Sequence, residues 1–198
     1  AATRGKVTEA NAHPFDVGNV DGAHNGPLTT TWQLDDAKNF DVDSEAIFYN
    51  INKDGIKEGM SRVNGAYALT FYNKMERKMY FLRNSQRPLF YTRRVDKDVI
   101  FWASEKWMLA IAAGKANVNI SEIIEFTQDK LFSFDMTLEK TFRTKDLIDE
   151  GEILGYVPPP VVPYESSAYR GHHHESYVPF WDRNNVFQGQ KRNGVKSK

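Results

Sequence analysis

Ala66-Tyr67-Ala68-Leu69-Thr70-Phe71-Tyr72, then Asn73-Lys74-Met75-Glu76-Arg77, then Lys78-Met79-Tyr80-Phe81-Leu82-Arg83, is the stretch on which the fold turns. Two strand-like runs flank a polar, turn-prone pentapeptide, which predicts an antiparallel hairpin. In the first run Ala66, Ala68 and Thr70 alternate with Tyr67, Leu69 and Phe71. Both sets are largely apolar or small, so the sheet is expected to be covered on both faces.

Upstream, Asp43 to Val63 reads as a helix and the turn after it. Asp43 or Ser44 serves as N-cap, Ile47 and Ile51 share a face, and Gly55 and Gly59 loosen or end the helix. Residues 1–42 are rich in Gly, Asn, Asp and Thr and read as loops around one or two short strands. Downstream, Val99–Ala103 is a third strand. Ser104 to Ala113 is a helix, with Ser104 as N-cap and Gly114 as its stop. A short helix is expected from Ser121 to about Thr127, and a closing hairpin from Leu131–Phe134 and Leu138–Arg143. Helices and antiparallel strands mix without β-α-β alternation, which predicts an α+β class.

From Gly155 the composition changes: Pro158, Pro159, Pro160, Pro163 and Pro179 lie in the last stretch with Tyr164, Tyr169, Tyr177, Phe180 and Trp181. Residues 1–154 are therefore expected to form one domain. Residues 155–198 form a Pro- and aromatic-containing extension, partly disordered. Of the 198 residues 40% are hydrophobic, enough for one core. Lys and Arg number 26 against 26 Asp and Glu, which lacks the basic surplus of a nucleic-acid footprint. No apolar run reaches the length of a transmembrane helix, and residues 1–15 lack the apolar core of a signal peptide. With no cysteine there is no disulfide, no thiolate metal site and no Cys nucleophile among these residues. A cytoplasmic setting is the default expectation.

The residues with chemical promise are Asn11-Ala12-His13-Pro14-Phe15 and, after a polar link, His24-Asn25-Gly26. An Asn-Gly pair following a short strand is a turn that exposes an amide side chain and a backbone N–H together. Two such donors aimed at one point are what an oxyanion hole requires.

Six elements, in order, resemble the class II glutamine amidotransferases, an N-terminal-nucleophile hydrolase family. They are Asn11–Pro14, His24–Gly26, Asp43-Ser44-Glu45, Gly65-Ala66-Tyr67-Ala68, Arg83 to Tyr91, and Ala103-Ser104-Glu105, covering roughly residues 1–145. The resemblance implies a four-layer α/β/β/α sandwich with antiparallel sheets and the hydrolysis of L-glutamine to glutamate and ammonia. It assigns the oxyanion hole to Asn25 and Gly26, the substrate's α-ammonium to Asp43, and a contact with the glutamine backbone to Thr3. His13 and His24 are expected to hold loops through ring hydrogen bonds. Arg83, Arg87 and Glu105 are expected in buried pairs. Asn84 stands where the family has Asp after Arg83, which puts the local charge pairing in question.

The family's nucleophile is an N-terminal Cys whose own α-amine is the general base, and its His-Thr-Arg element grips the substrate carboxylate. Both would fall before Ala1. The chain alone is therefore expected to be inactive, lacking an N-terminal segment that holds the nucleophile and the first strands of the sheet. No cofactor or metal is implied. His172-His173-His174 reads as a solvated tail patch. The ammonia acceptor would be a synthase subunit or domain. The alternative reading is a non-catalytic structural or binding module that retains the fold.

Overall fold

The computed structural model describes residues 8, 9, 11–96, 99–136 and 147–158. The first strands are β1 (Phe15–Val17), β2 (Val20–Asn25) and β3 (Leu28–Thr30), and helices α1 (Asp43–Asp54) and α2 (Ile56–Met60) follow. After these come β4 (Asn64–Gly65), β5 (Ala68–Asn73), β6 (Lys78–Arg83), β7 (Phe90–Arg93) and β8 (Ile100–Ala103). Helix α3 (Lys106–Ala116), β9 (Ile124–Glu125), β10 (Lys130–Asp135) and β11 (Ile148–Glu152) complete the described elements.

The predicted hairpin is the middle of a six-stranded sheet of order β1-β2-β5-β6-β10-β11, and its neighbours pair antiparallel. Register places Leu69 opposite Leu82 and Phe71 opposite Tyr80. These four side chains join Ile47, Phe48 and Ile51 of α1 in one apolar cluster. The alternate residues Ala68 and Phe81 point the other way, into a second cluster with Leu89, Ile100, Phe126 and Phe134. That second cluster lies between the large sheet and a three-stranded sheet of order β8-β7-β9. Phe81 stacks on Phe126 at 4.9 Å and meets the edge of Trp102 at 5.2 Å. Helix α3 packs against β7 and β8. The layers are thus helix, sheet, sheet, helix: the expected α+β sandwich.

Helix α1 forms because Ala46, Ile47, Phe48 and Ile51 supply a buried face, and Asp43 and Glu45 place negative charge in its first turn. Its N-cap is Val42, with no side-chain cap bond. Neither Asp43 nor Ser44 caps the helix, because other partners claim both side chains. Gly55 ends α1 as expected, but Gly59 lies inside α2, backed against Ile51.

Other boundaries shift as well. Helix α3 runs through Gly114 to Ala116 and ends at Asn117, whose backbone is left-handed at φ 50°. Ser121 to Thr127 is not a helix. Thr92 Oγ1 donates to the Ser121 carbonyl at 2.9 Å, and Ile124–Glu125 pairs with β7 as a strand. Strand β10 takes β6 and β11 as partners, and Leu138–Arg143, its expected hairpin mate, lies outside the described residues. No helix among the described residues is long and apolar enough to cross a membrane.

Helix α1 approaches the sheet closely at Gly22. Its strand buries Val20, Gly22 and His24 on the α1 side, and a Cβ at residue 22 would lie 2.3 Å from the Phe48 ring. Gly22→Ala is expected to destabilise the fold by about 1–3 kcal/mol through overpacking. Phe48→Leu in the same chain should recover part of that loss. Denaturant midpoints of the two single variants and the double variant test this, and strict additivity would contradict the packing.

Candidate functional site

Strand β2 ends at Asn25, and the chain turns through Gly26 and Pro27 into β3. The turn requires glycine. Gly26 has φ +137°, and a Cβ there would sit 2.2 Å from the Ala66 carbonyl oxygen. Asn25 is exposed, and its amide has no hydrogen-bond partner among the described residues.

Two hydrogen bonds bracket this turn and tie it to the first turn of α1. On one side, His24 meets the Ser44 hydroxyl through Nδ1 at 3.0 Å and the Ala66 carbonyl through Nε2 at 3.2 Å. A carbonyl only accepts, so Nε2 carries the proton and Nδ1 accepts from Ser44. On the other side, the Leu28 N–H donates to Asp43 Oδ2 at 3.1 Å. The segment 24–28 and the pair Asp43-Ser44 are therefore locked together. Both His24 and Asp43 are buried, at 7% exposure each.

The electrostatics follow from that burial. Burial pushes His24 below the usual imidazole range; the Ala66 carbonyl and the nearby Asp43 carboxylate act in the opposite sense. Asp43 itself makes no ion pair with Lys or Arg among the described residues. Its compensation is the Leu28 N–H and the positive end of α1.

A third segment supports the turn from behind. Asn84 donates to the Gly65 carbonyl at 2.8 Å and accepts from the N–H groups of Tyr67 at 3.2 Å and Gln86 at 3.1 Å. An aspartate could accept those two bonds but could not donate the third. The departure at residue 84 thus exchanges a charge pair for a neutral hub. Arg83 donates through Nε to the Phe126 carbonyl at 2.6 Å and pairs with Glu125 at 2.9 Å.

The expected buried pairs of Arg87 and Glu105 are not formed among the described residues. Arg87 donates to the Gln86 carbonyl, and Glu105 holds the N-cap position of α3. His13 has a ring contact with Phe15 at 4.9 Å. Of the site residues read from sequence, Asn25, Gly26 and Asp43 lie within this bracketed unit, whereas Thr3 and His172-His173-His174 lie outside the described residues. Ser44, Leu28 and Asn84 were not singled out for these roles. Only the position of Ser44 beside Asp43 offered a hint.

Among the described residues no group of three His, Cys, Asp or Glu side chains is placed to hold a metal ion. A cavity of about 420 Å³ lies under α3, lined by Phe101, Met108, Leu109, Ala112 and Ala113 among others, and none of its lining residues belongs to the bracketed unit.

Residues 23–110 match the family model described as a glutamine amidotransferase domain. No curated protein matches the chain. Among solved structures, glutamine phosphoribosylpyrophosphate amidotransferase from B. subtilis, complexed with ADP and GMP, is similar with a TM-score of 0.50 and 22% identity. The likeness covers 66% of this chain and 31% of that one. A structure described as the allosteric regulatory enzyme of purine biosynthesis has a TM-score of 0.46 and 23% identity, covering 59% of this chain and 26% of that one. The chain therefore spans under a third of the length of either structure. At these identities the first likeness is one of fold. The description of the matching model agrees with the resemblance carried by the ordered elements, over residues 23–110, and the α+β sandwich expected from it is the fold observed.

Two outcomes are expected from the site's framework. His24 has a folded pKa below its ordinary value of about 6.5, so the unfolded chain binds the extra proton and stability falls as pH drops through that value. The difference in melting temperature between the protein and its His24→Asn variant should be largest above pH 7 and shrink toward pH 5. A pH-independent difference would contradict the assignment. Asn84→Asp, which loses the donor to Gly65, should cost about 1–3 kcal/mol in chemical unfolding at neutral pH.

Proposed function

We propose that this chain forms the glutaminase part of an amidotransferase, hydrolysing L-glutamine to glutamate and ammonia for transfer to an acceptor. The observation that carries the reading is Asp43: a buried carboxylate without a cationic side-chain partner among the described residues, tied to the backbone of an Asn-Gly turn. A buried charge is costly unless something opposite neutralises it. The α-ammonium of an amino acid is a partner of the right sign and size.

In this reading the nucleophile is an N-terminal cysteine supplied from outside these 198 residues, which contain none. Its α-amine, with an ordinary pKa of about 7.7–8.0, takes the thiol proton at neutral pH. The thiolate forms a C–S bond at the carboxamide carbon, and the carboxamide oxygen becomes an oxyanion. The Asn25 side-chain N–H and the Gly26 backbone N–H donate to that oxygen. Proton transfer from the α-ammonium to the leaving nitrogen releases ammonia and leaves a thioester. Water then cleaves the thioester to glutamate and restores the thiol. Thr3 contacts the glutamine backbone, and an arginine upstream of Ala1 takes its carboxylate.

The ammonia acceptor is a synthase domain or subunit, and the setting is cytoplasmic. Support comes from the family match over residues 23–110 and from the exposed, unbonded amide of Asn25.

The test is glutamate release by the natural full-length protein. Asn25→Ala should lower kcat by about 10²–10³-fold with little change in KM. Asp43→Asn should raise KM for glutamine by about 10²-fold, the cost of leaving a charged group unpaired. If the natural protein binds glutamine but releases no glutamate, the non-catalytic module takes over. Wild-type kinetics in both variants would sink the site assignment.

A further inference from the structure

Three of the described arginines are matched to carboxylates. Arg62 pairs with Asp35, Asp54 and Glu58; Arg83 pairs with Glu125; Arg94 pairs with Asp96. Arg87 is different. It is half-buried, yet its guanidinium has no carboxylate within ion-pair distance among the described residues and donates only to the Gln86 carbonyl at 3.0 Å.

Its position is also distinctive. The Arg87 side chain lies against Gly26, close enough that a Cβ at residue 26 would be 3.2 Å from Arg87 Cγ. Its charge is felt at His24, two residues before Gly26, with the sign opposite to that of Asp43. An unpaired anion and an unpaired cation therefore flank the same histidine without pairing with each other. Asp43 is buried and Arg87 is half-buried, and neither has an oppositely charged side-chain partner among the described residues, so a charged ligand could be stabilised by both.

We infer that Arg87 is an anion-binding residue of this site, placing positive charge beside Gly26 where the carboxamide oxygen becomes an oxyanion. The inference rests on the glutaminase reading above and adds to it a residue that the resemblance did not assign. A guanidinium stays charged at any pH the fold survives, so the field at the turn is permanent. Its aliphatic stem packs on the glycine, and its head makes one exposed bond, to the Gln86 carbonyl, which leaves its other donors available to an anion. An interaction of this kind strengthens as negative charge develops, so it acts on kcat more than on KM.

The experiment compares Arg87→Met and Arg87→Lys in the natural full-length protein. Methionine keeps the stem and removes the charge; lysine keeps the charge. The expected result is a fall in kcat of about 10²-fold for Arg87→Met, with KM for glutamine nearly unchanged and most of kcat recovered in Arg87→Lys. The His24 imidazole, followed by NMR titration, should shift upward in Arg87→Met because a neighbouring cation is gone. If Arg87→Met fails to fold, Arg87→Gln carries the same comparison.

An unchanged kcat overturns the inference, as does a lysine variant no better than methionine, which would mean that the stem alone matters. A rise in KM with unchanged kcat overturns it too, by placing the contact in the ground state. If the wild-type protein releases no glutamate, the glutaminase reading fails and the inference falls with it. An active wild type with an indifferent Arg87 leaves the reading intact and removes the inference alone.

Discussion

Everything in this structure depends on the β5–β6 hairpin being buried on both faces. A strand has only two faces, and here neither is given to water: Leu69, Phe71, Tyr80 and Leu82 fill one, Ala68 and Phe81 the other. Once that is so, something must lie above and something below. Helix α1 takes one side and the three-stranded sheet the other, and α3 then covers that second sheet. Fully burying a side chain of this size contributes about 1.5–3 kcal/mol, so the two clusters are the main source of stability on either side. The site inherits its place from this layering, because β2 is the hairpin's neighbour and its last residue is where the chain leaves the sheet.

The site is built from short links rather than from a rigid pocket. The His24–Ser44 and Leu28–Asp43 contacts join a turn to a helix start, and the Asn84 network steadies the Gly65–Tyr67 segment on which the turn leans. Each link uses a side chain for a backbone or hydroxyl partner. Asp43 and Arg87 also have backbone partners, but neither has an oppositely charged side chain within ion-pair distance among the described residues.

Much of the fold was legible because alternation is a strong signal. The hairpin, its two-sided burial, α1, the Val99–Ala103 strand and the α+β class all follow from the spacing of apolar side chains. The misreadings share a cause: short segments whose state is set by a distant partner. Ile124–Glu125 is a strand only because β7 lies beside it, and Gly114 could pass for a helix stop because nothing local shows that α3 continues to Asn117. At the candidate site, motif order singles out Asn25, Gly26 and Asp43, and the fold brings these three into one unit. The roles of Ser44, Leu28 and Asn84 could not be named from it, since each is a contact across 15 to 20 residues of chain. Arg87 was misread because sequence shows that a cation is present without showing that its counter-ion is absent.

The amide at residue 84 has a consequence for the conditions under which the turn keeps its shape. A carboxylate in that place would loosen its grip in acid and weaken as salt rises, because it holds by charge. The Asn84 side chain has no proton to gain and no net charge to screen, so its three hydrogen bonds persist across both changes. The Gly65–Tyr67 and Asn84–Gln86 segments that this side chain joins are in this sense insulated from their medium, and the imidazoles of His13 and His24 are where acidity reaches the neighbourhood.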